Sequence, residues 1–167
     1  MPKSSSGAGS ADGKSRDRVA ISNRRARHEY FILDSYECGI ALVGSEVKSI
    51  RDGRANIGDA YARIEDGEVW LYAMHVSPYP FSRIGHDPTR RRKLLLRRSE
   101  IDRIIGKLNE AGLTLVPLKV YFQHGLVKIE LAIVRGKRQW DKRQAMAERD
   151  AKRETDRALH ARNRGGE

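Results

Sequence analysis

Apolar and polar positions alternate with period two through most of the middle of this chain, and shift to a helical period in two places. "EYFIL" (29–33) and "GIALVG" (39–44) read as strands. "AYARIEDGEVWLYAMHV" (60–76) reads as a hairpin, because Asp66-Gly67 is a type I′ turn signal between two β-prone runs. Trp70, Tyr72 and Met74 share one face of its second strand and are expected in the core, as is the Leu94–Leu96 run. In "LVKIELAIV" (126–134), Val127, Ile129, Leu131 and Ile133 line one face while Lys128 and Glu130 point away. "LTLVPLKVYF" (113–122) precedes it, and Pro117, lacking an amide donor, makes that strand an edge or a bulged one.

The helical period appears in "SEIDRIIGKLNEAG" (99–112). Ile101, Ile104, Ile105 and Leu108 fall at i, i+3, i+4 and i+7, Ser99 and Asp102 form a capping-box pattern, and Gly112 is the stop. "SEVKSIRDG" (45–53) predicts a shorter helix, with Ser45 as its N-cap and Gly53 as its stop. Between hairpin and long helix lies "SPYPFSRIGHDPTRRRK" (77–93), a Pro- and Gly-punctuated loop ending in Arg90, Arg91, Arg92 and Lys93. About six short strands with inserted helices predict a mainly β fold, a small antiparallel six-stranded barrel with flanking helices, of the kind oligonucleotide-binding folds use.

The two ends carry no such patterning. Residues 1–22 are dominated by Ser, Gly, Ala and charge, which bury too little surface to offset ordering entropy, so a disordered arm is expected there. The ordered domain is expected over 23–135 and a basic tail over 136–167. In the tail, Asp141 and Gln144 form a second capping-box pattern, followed by good helix formers. At 100° per residue, Lys142, Arg149, Arg153, Arg157, His160 and Arg164 fall along one side, with Met146 and Leu159 the only sizeable aliphatics. A helix without an apolar stripe is marginal alone, so the tail is expected to be disordered when free and helical when laid along RNA. Trp140 either stacks on a nucleobase or folds back on the barrel.

Composition narrows the partner. The 167 residues carry 33 Lys and Arg against 22 Asp and Glu, a formal charge of +11, which points to a polyanion. A basic stripe without a greasy face suits phosphates better than a bilayer, so no membrane partner is expected. No stretch approaches the roughly 20 apolar residues of a membrane span, and no apolar signal segment begins the chain. The lone Cys38 precludes an internal disulfide, and a cytoplasmic location is expected. His28, His75, His86, His124 and His160 are scattered, with no metal-binding spacing. No catalytic residue, metal, cofactor or small-molecule substrate is expected.

Five blocks, in order, then meet a family. "NRRARHEYFI", "GSEVKSIR" with "GRANIGDAY", "HDPTRRRKLLL", "GLTLVPLKVYF" and "GKRQWDKR" resemble the SsrA-binding proteins, also called small protein B, over roughly residues 23–152. The resemblance implies an oligonucleotide-binding-like barrel that binds the tRNA-like domain of transfer-messenger RNA. It further implies delivery of that RNA to stalled ribosomes for trans-translation, the tail probing the empty decoding site and message channel. On this resemblance Asn23 and Glu37 are RNA-binding positions of the barrel, and Lys137 and Arg138 belong to the barrel–tail junction. Asp141, Lys142 and Arg143 match the motif required for tagging, and Trp140 is the ring before it. Arg24, Arg25 and Arg27 fit phosphate oxygens or a solvated surface, and Arg149 and Arg153 extend the basic side of the tail. Asn23 suits a base edge or a chain cap, and Glu37 a base amino group or a clamp on a neighbouring Arg. A generic RNA chaperone of the same fold and a metal-dependent ribonuclease are the competing classes.

Overall fold

Strand alternation closes on itself here. In the computed structural model, which describes residues 18–164, nine strands and four helices follow one another. They are β1 (Arg18–Ser22), α1 (Arg24–Glu29), β2 (Tyr30–Ile40), α2 (Gly44–Arg51), β3 (Ala55–Asn56), β4 (Tyr61–Glu65) and β5 (Glu68–Tyr72). Then come β6 (His75–Val76), β7 (Arg92–Leu95), α3 (Arg98–Leu108), β8 (Leu113–Gln123), β9 (Leu126–Gly136) and α4 (Gln139–Arg164). The main sheet runs β1-β8-β4-β5-β7-β2-β9, and β9 pairs again with β8. That second pairing makes a ring of six antiparallel strands, β8-β4-β5-β7-β2-β9, with β1 lying outside it along the end of β8. β3 and β6 form a separate two-stranded ladder.

Val127, Ile129, Leu131 and Ile133 of β9 point into the ring, as their alternation predicts, and meet Val69, Leu71, Leu94, Leu115 and Val120. α2 contributes Ile50 to this core and α3 contributes Ile101 and Ile104. Outside the ring, α1 packs Ala26 on Val116, Leu118, Ala132 and Val134, a second small core on the outer face of β8 and β9.

Several expectations are corrected. Arg18–Ser22 is not part of a disordered arm: "RVAIS" pairs with Lys119–Phe122, gaining ladder hydrogen bonds that composition does not reveal. Residues 1–17, the rest of that arm, lie outside the described residues. "EYFIL" and the start of "GIALVG" belong to one eleven-residue strand, β2, bulged between Ile32 and Asp34. Trp70 and Tyr72 are half-buried on the outer face; Val69 and Leu71 are the inward residues. Ala73, at φ 57°, breaks the alternation and turns Met74 inward. Of Leu94–Leu96 only Leu94 is buried, and Leu95 is exposed.

The caps differ as well. α2 starts at Gly44, and Glu46 rather than Ser45 receives the Val43 N–H at 3.0 Å. α3 starts at Arg98, ahead of Ser99, with Glu100 accepting the Arg97 N–H at 3.0 Å. In both, a glutamate at the third helical position reaches back to the N–H of the residue before the helix, a different bond from the one a Ser N-cap would accept. The tail is described in its helical form, α4, beginning at Gln139 rather than after Trp140. At 1.5 Å per residue its 26 residues span roughly 39 Å. Every side chain from Met146 to Ala161 is exposed, so that stretch has no packed face and stands on local propensity.

Candidate RNA interface

Pro117 starts the site. With no N–H to give β9, it leaves a bulge in β8 between Pro117 and Lys119. The freed carbonyls are taken by one residue. Asn23 donates its backbone N–H to Leu118 at 2.7 Å and its Nδ2 to Pro117 at 3.0 Å and to Ile57 at 3.1 Å. Its Oδ1 accepts the Ala26 N–H at 3.0 Å, capping α1. Asn23 is buried with its side-chain amide fully engaged, so of its two expected roles the structure describes the cap. Through this cap it sets the position of α1.

That position matters because α1 displays Arg24, Arg25 and Arg27, all exposed. Arg25 donates to Glu29 at 3.0 Å and to Asp59 at 2.7 Å, which holds its guanidinium on the surface of the cleft beside Tyr61 and Arg63. The Glu29 carboxyl lies below the usual carboxylate range, chiefly through the Arg25 hydrogen bond, with Lys142 of the tail adding attraction.

The junction folds back onto the same helix. The Lys137 N–H donates to the Glu29 carbonyl at 2.8 Å, and Lys137 Nζ lies 3.4 Å from the Arg27 carbonyl and 5.1 Å from the Phe31 ring centroid. Arg138, exposed, donates its N–H to Asp141 at 3.2 Å. Asp141 is the third residue of α4, and its carboxylate both receives that N–H and favours the positive end of the helix. The fold thus joins Arg24, Arg25 and Arg27 to Lys137 and Arg138 in one cationic end, and Lys142 follows in the first turn of α4. Arg143, Arg149 and Arg153 continue along α4 as exposed side chains, Arg153 lying 3.8 Å from Asp150. The side chain of Trp140 lies outside the described residues.

Glu37 is elsewhere. It sits seven residues along β2 from Tyr30, roughly 23 Å at 3.3 Å per residue. Among the described residues it holds no Arg; the Tyr121 hydroxyl donates to its carboxylate. Burial first, and this carboxylate second, push the Tyr121 phenol above the ordinary tyrosine value, so it stays a donor. Around Glu37 a shallow groove is lined by Lys93, Leu95, Arg97, Glu100 and Lys128. Sequence reasoning passed over Lys128 and Leu95. An exposed Leu beside a buried one, and a Lys alternating with core residues, look like ordinary strand positions. Tyr121 carried no signal at all.

The groove and the cationic end together offer anion contacts, a fixed carboxylate acceptor and exposed apolar surface, the requirements for holding a folded RNA by backbone and base edge. No group of three or more His, Cys, Asp or Glu able to hold a metal occurs among the described residues. No helix among them is long and apolar enough to cross a membrane. Burial pushes the Cys38 thiol up to about 12, so at neutral pH it stays a protonated, buried thiol.

Removing the Asn23 amide tests the cap. Asn23→Ala loses the helix cap, about 1 kcal/mol, and orphans buried carbonyls at about 1–3 kcal/mol. The expected loss is about 2–4 kcal/mol in urea unfolding.

Similar proteins place these features in a lineage. The family model described as SmpB protein matches residues 20–161. The SsrA-binding protein of Moorella thermoacetica is 58% identical over 149 residues, covering 88% of this chain and 96% of its own length. That of Desulfitobacterium hafniense (strain Y51) is 56% identical over 149 residues, covering 89% and 94%. A solved chain from the structure described as "tmRNA-SmpB: a journey to the center of the bacterial ribosome" aligns with a TM-score of 0.62 at 48% identity, covering 75% of this chain and 93% of that one. Matched over this much of its length and at this identity, the chain belongs to the SmpB protein family.

Proposed function

We propose that this chain is an RNA-binding adaptor that binds the tRNA-like domain of transfer-messenger RNA and delivers it to stalled ribosomes for trans-translation. The carrying observation is the union of Arg24, Arg25 and Arg27 with Lys137 and Arg138, more than a hundred residues apart in sequence, through the Lys137 bonds to Glu29 and Arg27. This end and the Glu37 groove hold the RNA on a barrel domain, and α4 leaves from the cationic end to follow the decoding site and message channel. Asp141, Lys142 and Arg143 belong to the tail's task, Trp140 offers a ring to a ribosomal base, and Arg149 and Arg153 meet phosphates further along. The adaptor works in the cytoplasm by binding and placement, without catalysis.

Ribosomes stalled on a message lacking a stop codon test it. With transfer-messenger RNA supplied, tagged peptide is expected only when this chain is added; tagging without it would sink the proposal. Neutralising Lys137 and Arg138 to Ala reports on the junction. The salt dependence of RNA binding, log K against log salt, is expected to flatten by about one unit for each phosphate no longer neutralised.

A further inference from the structure

The loop 77–91 joins β6 to β7, and two of its apolar side chains have almost no cover: Phe81 is 85% exposed and Ile84 82%. Single exposed apolar residues are ordinary on protein surfaces. What distinguishes this loop is the chemistry buried beneath it. Arg92, fully buried, donates Nη1 to the carbonyls of Met74 at 2.8 Å and Arg90 at 3.1 Å, and Nη2 to that of Pro88 at 3.2 Å. Glu46, also fully buried, receives Arg92 Nε at 2.9 Å and Arg90 Nε at 2.8 Å. His86 sits between Ser45 Oγ, 2.8 Å from Nδ1, and the Val76 carbonyl, 3.0 Å from Nε2. Buried ion pairs add little net stability; their effect here is to fix where the loop stands.

The tip so held is aromatic and flanked by cations. Tyr79 meets Phe81 edge-to-face at 5.6 Å, and Lys48 Nζ lies 5.4 Å from the Tyr79 ring. Arg83, exposed, follows two residues later. An open ring beside cations matches a base and its phosphates better than an apolar protein groove.

The tip is also remote from the tail. β2 begins at Tyr30, opposite Gly136, where the tail departs, and ends at Ile40. Beyond Ile40, the Ala41 N–H donates to the Lys93 carbonyl and Glu46 grips Arg90. The second limb of the loop therefore stands beyond the far end of β2, ten residues along the strand from Tyr30, at most roughly 33 Å of path.

We infer that Phe81 is a stacking finger for an unpaired base of the bound RNA, with Lys48 and Arg83 on adjacent phosphates, at the barrel end opposite the tail. This rests on the adaptor function proposed above. The test titrates full-length wild type, Phe81→Ala and Phe81→Trp against the tRNA-like domain, with chemical probing of its unpaired bases. Phe81→Ala is expected to weaken binding roughly tenfold, with an unchanged salt slope and one unpaired nucleotide losing protection, and Phe81→Trp to restore both. Thermal melts of the variants should match wild type, because the side chain is exposed. If wild type binds and Phe81→Ala binds equally well with the same footprint, the finger is overturned alone, whether or not the variant then fails on the ribosome. If wild type shows no affinity for the RNA, finger and adaptor fall together.

Discussion

Changing Asp141, Lys142 and Arg143 together to Ala leaves binding of the tRNA-like domain largely intact while peptide tagging falls on the order of a hundredfold, the scale of misplacing a reacting partner by about an ångström. The expectation follows from the division of contacts. Arg24, Arg25, Arg27 and Lys137 stay on α1 and its hydrogen bonds, none of which uses the three altered side chains. The change is confined to the start of α4. Asp141 no longer receives the Arg138 N–H, and two cations leave the first turn. Filter binding and a tagging assay on the same preparation separate the two effects. Loss of RNA affinity comparable to the loss of tagging would show that the first turn of α4 belongs to the RNA interface.

The second large effect is on stability. Glu46→Ala strands two guanidiniums, Arg92 without solvent and Arg90 partly so, and removes the Val43 cap. Breaking a buried pair from one side costs about 3–5 kcal/mol, here a fall in Tm of about 6–20 °C at roughly 2–4 °C per kcal/mol. Burial pushes the Glu46 carboxyl up, but the Arg90, Val43 and Arg92 contacts outweigh it, and the net value lies below the ordinary one. A carboxyl lowered by folding contributes stability that is fully present above its unfolded value and is lost as the pH falls through the folded one. Burial pulls the Arg92 guanidinium down, with Glu46 opposing, yet it stays charged at any pH of interest. Wild type should therefore lose stability on acidification below the ordinary carboxylate range more steeply than Glu46→Gln, which has no such proton to take up. Parallel urea titrations across that range would show it; identical pH profiles would mean that other carboxylates carry the acid sensitivity.

The barrel itself was largely legible. Val127, Ile129, Leu131 and Ile133 announce their face by alternation, and Asp66-Gly67 announces its turn, because both are local properties. Pairing is not local: nothing in "RVAIS" says that Lys119–Phe122 waits for it, and nothing in "VWLYAM" warns that Ala73 at positive φ reverses the parity before Met74. Polar residues were the harder ones. Asn23 offers the same amide to a base or to a bulged strand, and only the position of Pro117 decides. Arg92 reads as one more cation of a basic run, yet it is the fully buried one; Arg90 reaches the same buried Glu46 from a partly exposed position, and Arg91 pairs with Glu65 at the surface. The basic cluster at the tail junction was legible as two separate segments and not as one site, since their meeting depends on β2 and β9 running side by side from Tyr30 and Gly136.

A binding titration of the full chain tests the account most directly. The ligands are the tRNA-like domain of transfer-messenger RNA, an ordinary tRNA and an unrelated duplex, each at two salt concentrations. A preference for the tRNA-like domain that persists at the higher salt is the predicted result, with recognition by the barrel beyond phosphate attraction. Equal binding to all three that collapses together as salt rises would contradict it, leaving the charge of +11 as the whole of the interaction.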